Sequence, residues 1–198
     1  MFITFEGGDG GGKTTQIRLL KDRLTQAGRD VVLTREPGGT PEAEKIRALI
    51  LQSGNNWSPI TETMMMFAAR AMHVRDLIAP ALAQGKTVLC DRFTDSTRAY
   101  QGYAGGMDLR VIEDLKKMTI GDLEPDVTIV LDIPAATGLA RSQSGTAEGL
   151  QEAKGLGFQE KLRAGYLEIA RAHPGRCRVI DAARDIDAVA ADIWKVFA

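Results

Sequence analysis

Phe2-Ile3-Thr4-Phe5-Glu6-Gly7-Gly8-Asp9-Gly10-Gly11-Gly12-Lys13-Thr14 is the stretch whose reading decides the fold. Phe2 to Phe5 is a short apolar run of the kind that forms a buried β-strand, and it runs directly into glycines. From Lys13 the pattern turns helical: Ile17, Leu20 and Leu24 make an apolar stripe, and Gln26-Ala27-Gly28 closes the helix. Strand, glycine loop and helix in that order match G-x-x-x-x-G-K-[S/T]. Glycines let successive backbone N–H groups turn inward onto phosphate oxygens, and the helix N-terminus adds partial positive charge. Lys13 can then reach β- and γ-phosphates and Thr14 can ligate magnesium. The same loop excludes a dinucleotide site of the G-x-G-x-x-G type, which has no use for a lysine–threonine pair.

Further along the chain, strands and helices alternate. Strands are expected at Asp30 to Thr34, Thr87 to Cys90, Asp126 to Asp132 and Cys177 to Ile180. Helices are expected from Pro41 or Glu42, from Pro59 to about Gln84, from Asp95 to Gln101, from Leu109 to Met118, from Pro134, from Phe158 to Ala172 and from Ile186 to Phe197. With the first strand, that pattern predicts an α/β fold: a five-stranded, mostly parallel sheet covered by helices on both faces. Ligands of such sheets gather beyond the C-terminal strand ends. The polar clusters at residues 7–14, 35–40 and 91–102 all fall there.

The chain has 198 residues and a net charge of -1, which fits one compact domain, with room for a small lid at about 141–154, where Ser142 to Gly149 is polar. The near-neutral balance argues against a broad basic face for nucleic acid. Cys90 and Cys177 lie far apart and read as reduced, buried thiols. Met1 to Glu6 has no basic head, and no apolar run approaches the roughly 18 residues of a membrane span. A cytoplasmic protein that does not engage membranes is expected.

Beyond the loop, single residues carry chemistry. Asp91 follows a strand and can hold magnesium. Arg92 can grip a phosphate in bidentate fashion, and Arg35 also follows a strand, so a second anionic substrate is expected at that edge. Asp9 is unusual in an anion nest; it marks the approach of a second substrate or caps a turn. Phe67, Arg70 and His73 share a helix face. Phe67 can stack on a base while Arg70 bonds to its edge, or the two are a core ring and a solvated charge; His73 reads as structural. Tyr100 and Gln101 offer a stacking surface and an amide. Met64-Met65-Met66 reads as core packing. A small kinase is the first class. A GTPase lacks its guanine motif here, because the only asparagines, Asn55 and Asn56, precede Trp57. Another P-loop kinase of small molecules, an ATPase motor or a nucleotide-binding module stay as alternatives.

These residues resemble one family over nearly the whole chain, the thymidylate kinases of bacterial type. The resemblance is carried by Phe5-Glu6-Gly7 through Lys13-Thr14-Thr15, by Arg35-Glu36-Pro37-Gly38-Gly39-Thr40, and by Phe67-Ala68-Ala69-Arg70-Ala71 with His73. Asp91-Arg92-Phe93 with Ser96, Ala99-Tyr100-Gln101-Gly102, Gly121-Asp122-Leu123 and Arg163-Ala164-Gly165-Tyr166 complete it. It implies the P-loop nucleoside monophosphate kinase fold and the reaction of dTMP with ATP to give dTDP in the dTTP synthesis pathway. It also implies an ATP site at Gly7, Gly8, Asp9, Gly10, Gly11, Gly12, Lys13, Thr14 and Thr15, with Arg141 near adenine or phosphate. Magnesium belongs with Thr14 and Asp91. Asp9 looks toward the sugar hydroxyl or a phosphate arginine, and Arg35 and Arg92 hold the acceptor phosphate. Phe67 stacks on thymine, Arg70 bonds its edge, Ser96 and Gln101 lie in the acceptor site, and Tyr100 presses on the deoxyribose. Lys13, Asp9, Arg35 and Arg92 are the implied catalytic set. The resemblance further implies a homodimer packed through the long helix from Pro59 and its neighbour.

One departure stands out. Family members without an arginine in the phosphate loop carry catalytic arginines in the lid. This loop has Gly10 and Gly11, and Leu150 stands where a lid arginine is expected. Either Arg141 or Lys154 substitutes, or turnover is slow with binding intact.

Overall fold

A computed structural model describes residues 1–52, 55–143 and 155–197. Five strands form one sheet: β1 (Phe2–Glu6), β2 (Val31–Arg35), β3 (Thr87–Asp91), β4 (Val127–Asp132) and β5 (Cys177–Asp181). Their spatial order is β2-β3-β1-β4-β5, and every pairing is parallel. Each expected strand is present, displaced by a residue at most.

The alternation of side chains across β1 explains the layers. Ile3 and Phe5 point to one face, where they meet Ile17, Leu20 and Leu24 of α1 (Lys13–Gln26) and Val189 and Ile193 of α9 (Ile186–Lys195). Phe2 points to the other face, among Val88, Cys90, Phe93, Ile78 and Ala81. On that face Val130 and Cys177 also pack against Leu162, Tyr166 and Ile169 of α8 (Gly155–Ala172). The central strand is buried on both sides, as a parallel sheet between two helical layers requires.

The remaining helices are α2 (Pro41–Leu51), α3 (Pro59–His73), α4 (Ala79–Ala83), α5 (Thr94–Thr97), α6 (Leu109–Ile120) and α7 (Ala135–Gln143). Ser58 caps α3, accepting from the Thr61 N–H at 3.2 Å, and Pro59 fills its first turn. The long helix expected from Pro59 to Gln84 is not uniform: a π-helical turn, Val74–Ile78, joins α3 to α4. A second π-helical stretch, Arg98–Ala104, continues α5. Apolar periodicity does not distinguish these wider turns from α-helix. Of the expected lid, residues 144–154 lie outside the described residues, and with them Leu150 and Lys154; Arg141 stands on α7. No helix among the described residues is long and apolar enough to cross a membrane.

Candidate active site

The phosphate loop lies between β1 and α1, at the middle of the sheet where strands diverge to either side. Gly10 and Gly12 have φ of 74° and 81°, which side chains rarely adopt. Gly10 is further constrained, since a Cβ there would run into the Gly138 carbonyl of α7. The Lys13 ammonium curls back over the loop and donates to the Gly7 and Gly8 carbonyls at 3.1 and 2.8 Å. Burial, aided by the Arg92 charge, lowers the Lys13 pKa to about 8.

At the end of β3, Asp91 and Thr14 meet. The Thr14 hydroxyl donates to Asp91 Oδ2 at 3.4 Å, and Asp91 Oδ1 is buried without a hydrogen-bond partner. A carboxylate and a hydroxyl are hard oxygen donors suited to magnesium, and the orphaned oxygen has capacity for one.

Arg92 follows with φ of 71°, the only positive value among described non-glycine residues. Such a conformation costs on the order of 1–3 kcal/mol and persists where its surroundings enforce it. The chain is tied on both sides: Arg92 N–H donates to Phe5 O at 2.9 Å, and Phe93 N–H donates to Glu6 Oε1 at 2.8 Å. The guanidinium then spans the loop. Its Nη2 donates to Asp9 Oδ1 at 2.6 Å; its Nη1 reaches Gly7 O at 3.1 Å, Tyr166 Oη at 3.2 Å and Ser96 Oγ at 3.3 Å. It also lies 5.0 Å from the Tyr100 ring centroid. Burial opposes the Asp9 carboxylate, but Arg92 and Lys13 outweigh it and hold its pKa below the usual value.

These groups open onto one cleft of about 830 Å³. Its wall includes Asp9, Gly10, Gly12, Lys13, Thr14 and Thr15 of the loop region, Arg35, and Asp91 and Arg92. It also includes Arg70, Ser96, Tyr100, Gln101 and Arg141. Arg35 forms an exposed ion pair with Glu44 at 3.2 Å. Arg141 donates to the carbonyls of Ala182 and Ala183 at 3.0 and 3.2 Å, just beyond β5. Arg70 Nε donates to Glu36 Oε2 at 2.7 Å and Nη2 to Phe93 O and Thr97 Oγ1, both at 3.1 Å, while Nη1 is buried with no partner. Gln101 donates to Glu62 at 2.8 Å. His73 is fully buried between Glu36 and Thr34, a packing role.

Two expectations on α3 are corrected. Phe67 is 1% exposed, is absent from the cleft wall and carries the Arg70 guanidinium 4.7 Å from its centroid. It is a core ring, not a platform facing the cleft. Instead Pro59, Glu62, Met66 and Arg70 form the stripe that faces the cleft, at helical spacing. Met66 is therefore not core packing, and Met64 is 55% exposed. Three contributors escaped the sequence reading. Arg47 lines the cleft and donates to Pro37 O at 2.7 Å. Glu36 orders Arg70, and Glu6 lies buried beneath the loop. No motif spacing singles out an isolated Arg47; Glu6 and Glu36 stood in quoted motifs without a role.

A family model described as thymidylate kinase matches residues 5–193. The chain is 53% identical over 196 residues to the thymidylate kinase of Caulobacter vibrioides, covering 98% of this chain and 94% of that one. It is 50% identical to that of Nitrobacter winogradskyi, over 98% and 86% of the two chains. A crystal structure of thymidylate kinase from Ehrlichia chaffeensis superposes with a TM-score of 0.82 at 39% identity, covering all of this chain and 97% of that one.

Proposed function

The chain belongs to the thymidylate kinase family, and from that premise we propose how its cleft divides the ATP-dependent phosphorylation of dTMP to dTDP between two substrates. The observation that carries the division is the one cleft whose wall holds both Lys13 and Thr14 of the phosphate loop and the cations Arg35, Arg70 and Arg92. The loop from Gly7 to Thr15 takes the triphosphate, with Arg141 toward the adenine end. Arg92 and Arg35, joined by Arg47, take the acceptor phosphate. The buried, unpartnered Nη1 of Arg70 offers a donor to the base edge, and Met66 supplies the apolar surface beside it. Ser96 and Gln101 complete the acceptor wall, and Tyr100 packs against the sugar.

In this arrangement a dTMP phosphate oxygen bonds to the γ-phosphorus as the bond to the β–γ bridging oxygen breaks, releasing ADP. The residues align the two phosphates and neutralise charge. Asp91 and Thr14 would hold magnesium, which supplies charge neutralisation on the ATP phosphates when bound. Asp9 orients Arg92 by a direct ion pair, so the catalytic set is Lys13, Asp9, Arg35 and Arg92. Exposed Ile60 and Met64 on α3 and Met118 on α6, the last 82% exposed, support a homodimer packed through these helices.

A coupled ADP-release assay across dTMP, dUMP, dCMP, dGMP, AMP and shikimate tests the assignment. dTMP is expected to give the highest kcat/KM, and a better acceptor among the others would overturn it.

A further inference from the structure

Glu6 is the last residue of β1 and is wholly buried directly beneath the phosphate loop. A carboxylate there loses its hydration and must recover it from protein donors. It does so from three: the Phe93 N–H at 2.8 Å, the Ser96 hydroxyl at 2.6 Å and the Tyr166 hydroxyl at 3.3 Å. Each donor is tied to Arg92. Phe93 follows it in the chain, and both hydroxyls are themselves contacted by Arg92 Nη1. Glu6 thus grips the peptide after the left-handed residue and the two oxygens that the guanidinium rests on, without touching the guanidinium.

Resting on the assignment of Arg92 to the acceptor phosphate, we infer that Glu6 is a positioning residue for phosphate capture: it holds the Arg92 segment in its left-handed turn and so aims the guanidinium into the cleft. Charged groups surround it. Asp95 of α5 repels its charge, Arg92 and the Lys13 ammonium of α1 attract it, and the Tyr100 and Tyr166 phenols and the Cys90 and Cys177 thiols are its titratable neighbours. Burial first, and Asp95 second, raise its pKa to about 7. Its ionisation, and with it the grip, therefore changes within the working pH range.

Glu6→Gln keeps the shape and one acceptor but removes the charge. In steady-state kinetics the variant is expected to raise the KM for dTMP about 10–100-fold, by analogy with the loss when the outer partners that orient metal ligands are removed. The KM for ATP should stay within about twofold. In wild type, kcat/KM for dTMP should carry an acid limb near pH 7 in addition to that of the substrate phosphate, whose second pKa is about 6. The variant should retain only the latter. An unchanged KM for dTMP with an unchanged pH profile, or equal losses for both substrates, would overturn the inference. Should Glu6→Gln not fold, Tyr166→Phe, which removes one donor, decides in its place: a selective rise in the dTMP KM supports the inference, and its absence overturns it. Failure of the wild-type protein to phosphorylate dTMP is a separate result, which strikes the assignment of the site instead.

Discussion

Arg92 Nη2 lies 2.6 Å from Asp9 Oδ1, so the cation assigned to the acceptor phosphate is held by a carboxylate of the donor phosphate loop. The side chains are 18% and 30% exposed, and partial burial makes the pair more than a surface salt bridge. A carboxylate inside an anion nest repels polyphosphate, and Arg92 offsets that repulsion while gaining a fixed orientation.

Asp9→Asn should therefore lower kcat about tenfold or more, equivalent to about 1.4 kcal/mol of transition-state stabilisation, because Arg92 loses its aim although its charge remains. Combining it with Arg92→Lys in a double-mutant cycle should give a coupling of about 0.5–3 kcal/mol in kcat/KM for dTMP. Additive effects within experimental error would show that the pair does not act as a unit.

On α3, one residue separates two roles. Met66→Ala should raise the KM for dTMP about 2- to 10-fold, in line with a thioether contact to an aromatic ring worth about 0.3–1.5 kcal/mol, with little change in Tm. Phe67→Leu should do the reverse, lowering stability by about 1–2 kcal/mol through core packing while the KM stays near wild type. Thermal melts beside dTMP titrations separate the two, and a large KM effect confined to Phe67→Leu would return the ring to the binding face.

The strands and the phosphate loop were legible because both obey local rules: apolar runs between turns for the strands, and a fixed spacing for the loop. Asp91, Arg92 and Arg35 were legible because strand ends in a parallel sheet converge on one edge. Phe67 was misread for a physical reason. Spacing of three shows that Phe67 and Arg70 share a helix face, but the cleft and the core divide that face between them. The burial of the ring and the Arg70 guanidinium set over it settle the division, and the sequence pattern contains neither. The left-handed turn at Arg92 was likewise invisible, since arginine carries no preference for it. It is imposed by Phe5 and Glu6 from a strand 87 residues away.

The absence of an arginine from the phosphate loop has a kinetic consequence. Lys13 is the only cation of the loop, and Arg141 is occupied with the carbonyls of Ala182 and Ala183. At saturating ATP and dTMP, kcat is expected below the roughly 1–100 per second usual for kinases, with dTMP binding intact by calorimetry. Leu150→Arg should raise kcat with little effect on either KM, as expected of a cation engaged only in the transition state. A wild-type kcat inside the usual range would remove this explanation of the departure.

Glu6 also ties function to stability. Its folded pKa, about 7, lies above the ordinary carboxylate value of 4.5. Between those values the folded protein holds a proton that the unfolded chain releases, so Glu6 makes stability fall as pH rises from about 4.5 to 7 and level off above. The two pKa values differ by an amount worth on the order of 3 kcal/mol, shared with Asp95, whose own charge is held by Arg98 and Arg176. Glu6→Gln cannot titrate and should lack this slope. The difference in Tm between the variant and wild type should therefore grow in the variant's favour by several degrees from pH 5 to pH 7.5, given about 2–4 °C per kcal/mol for a protein of this size. Parallel Tm–pH curves would mean that Glu6 is ionised throughout, and that the charge beneath the loop is permanent.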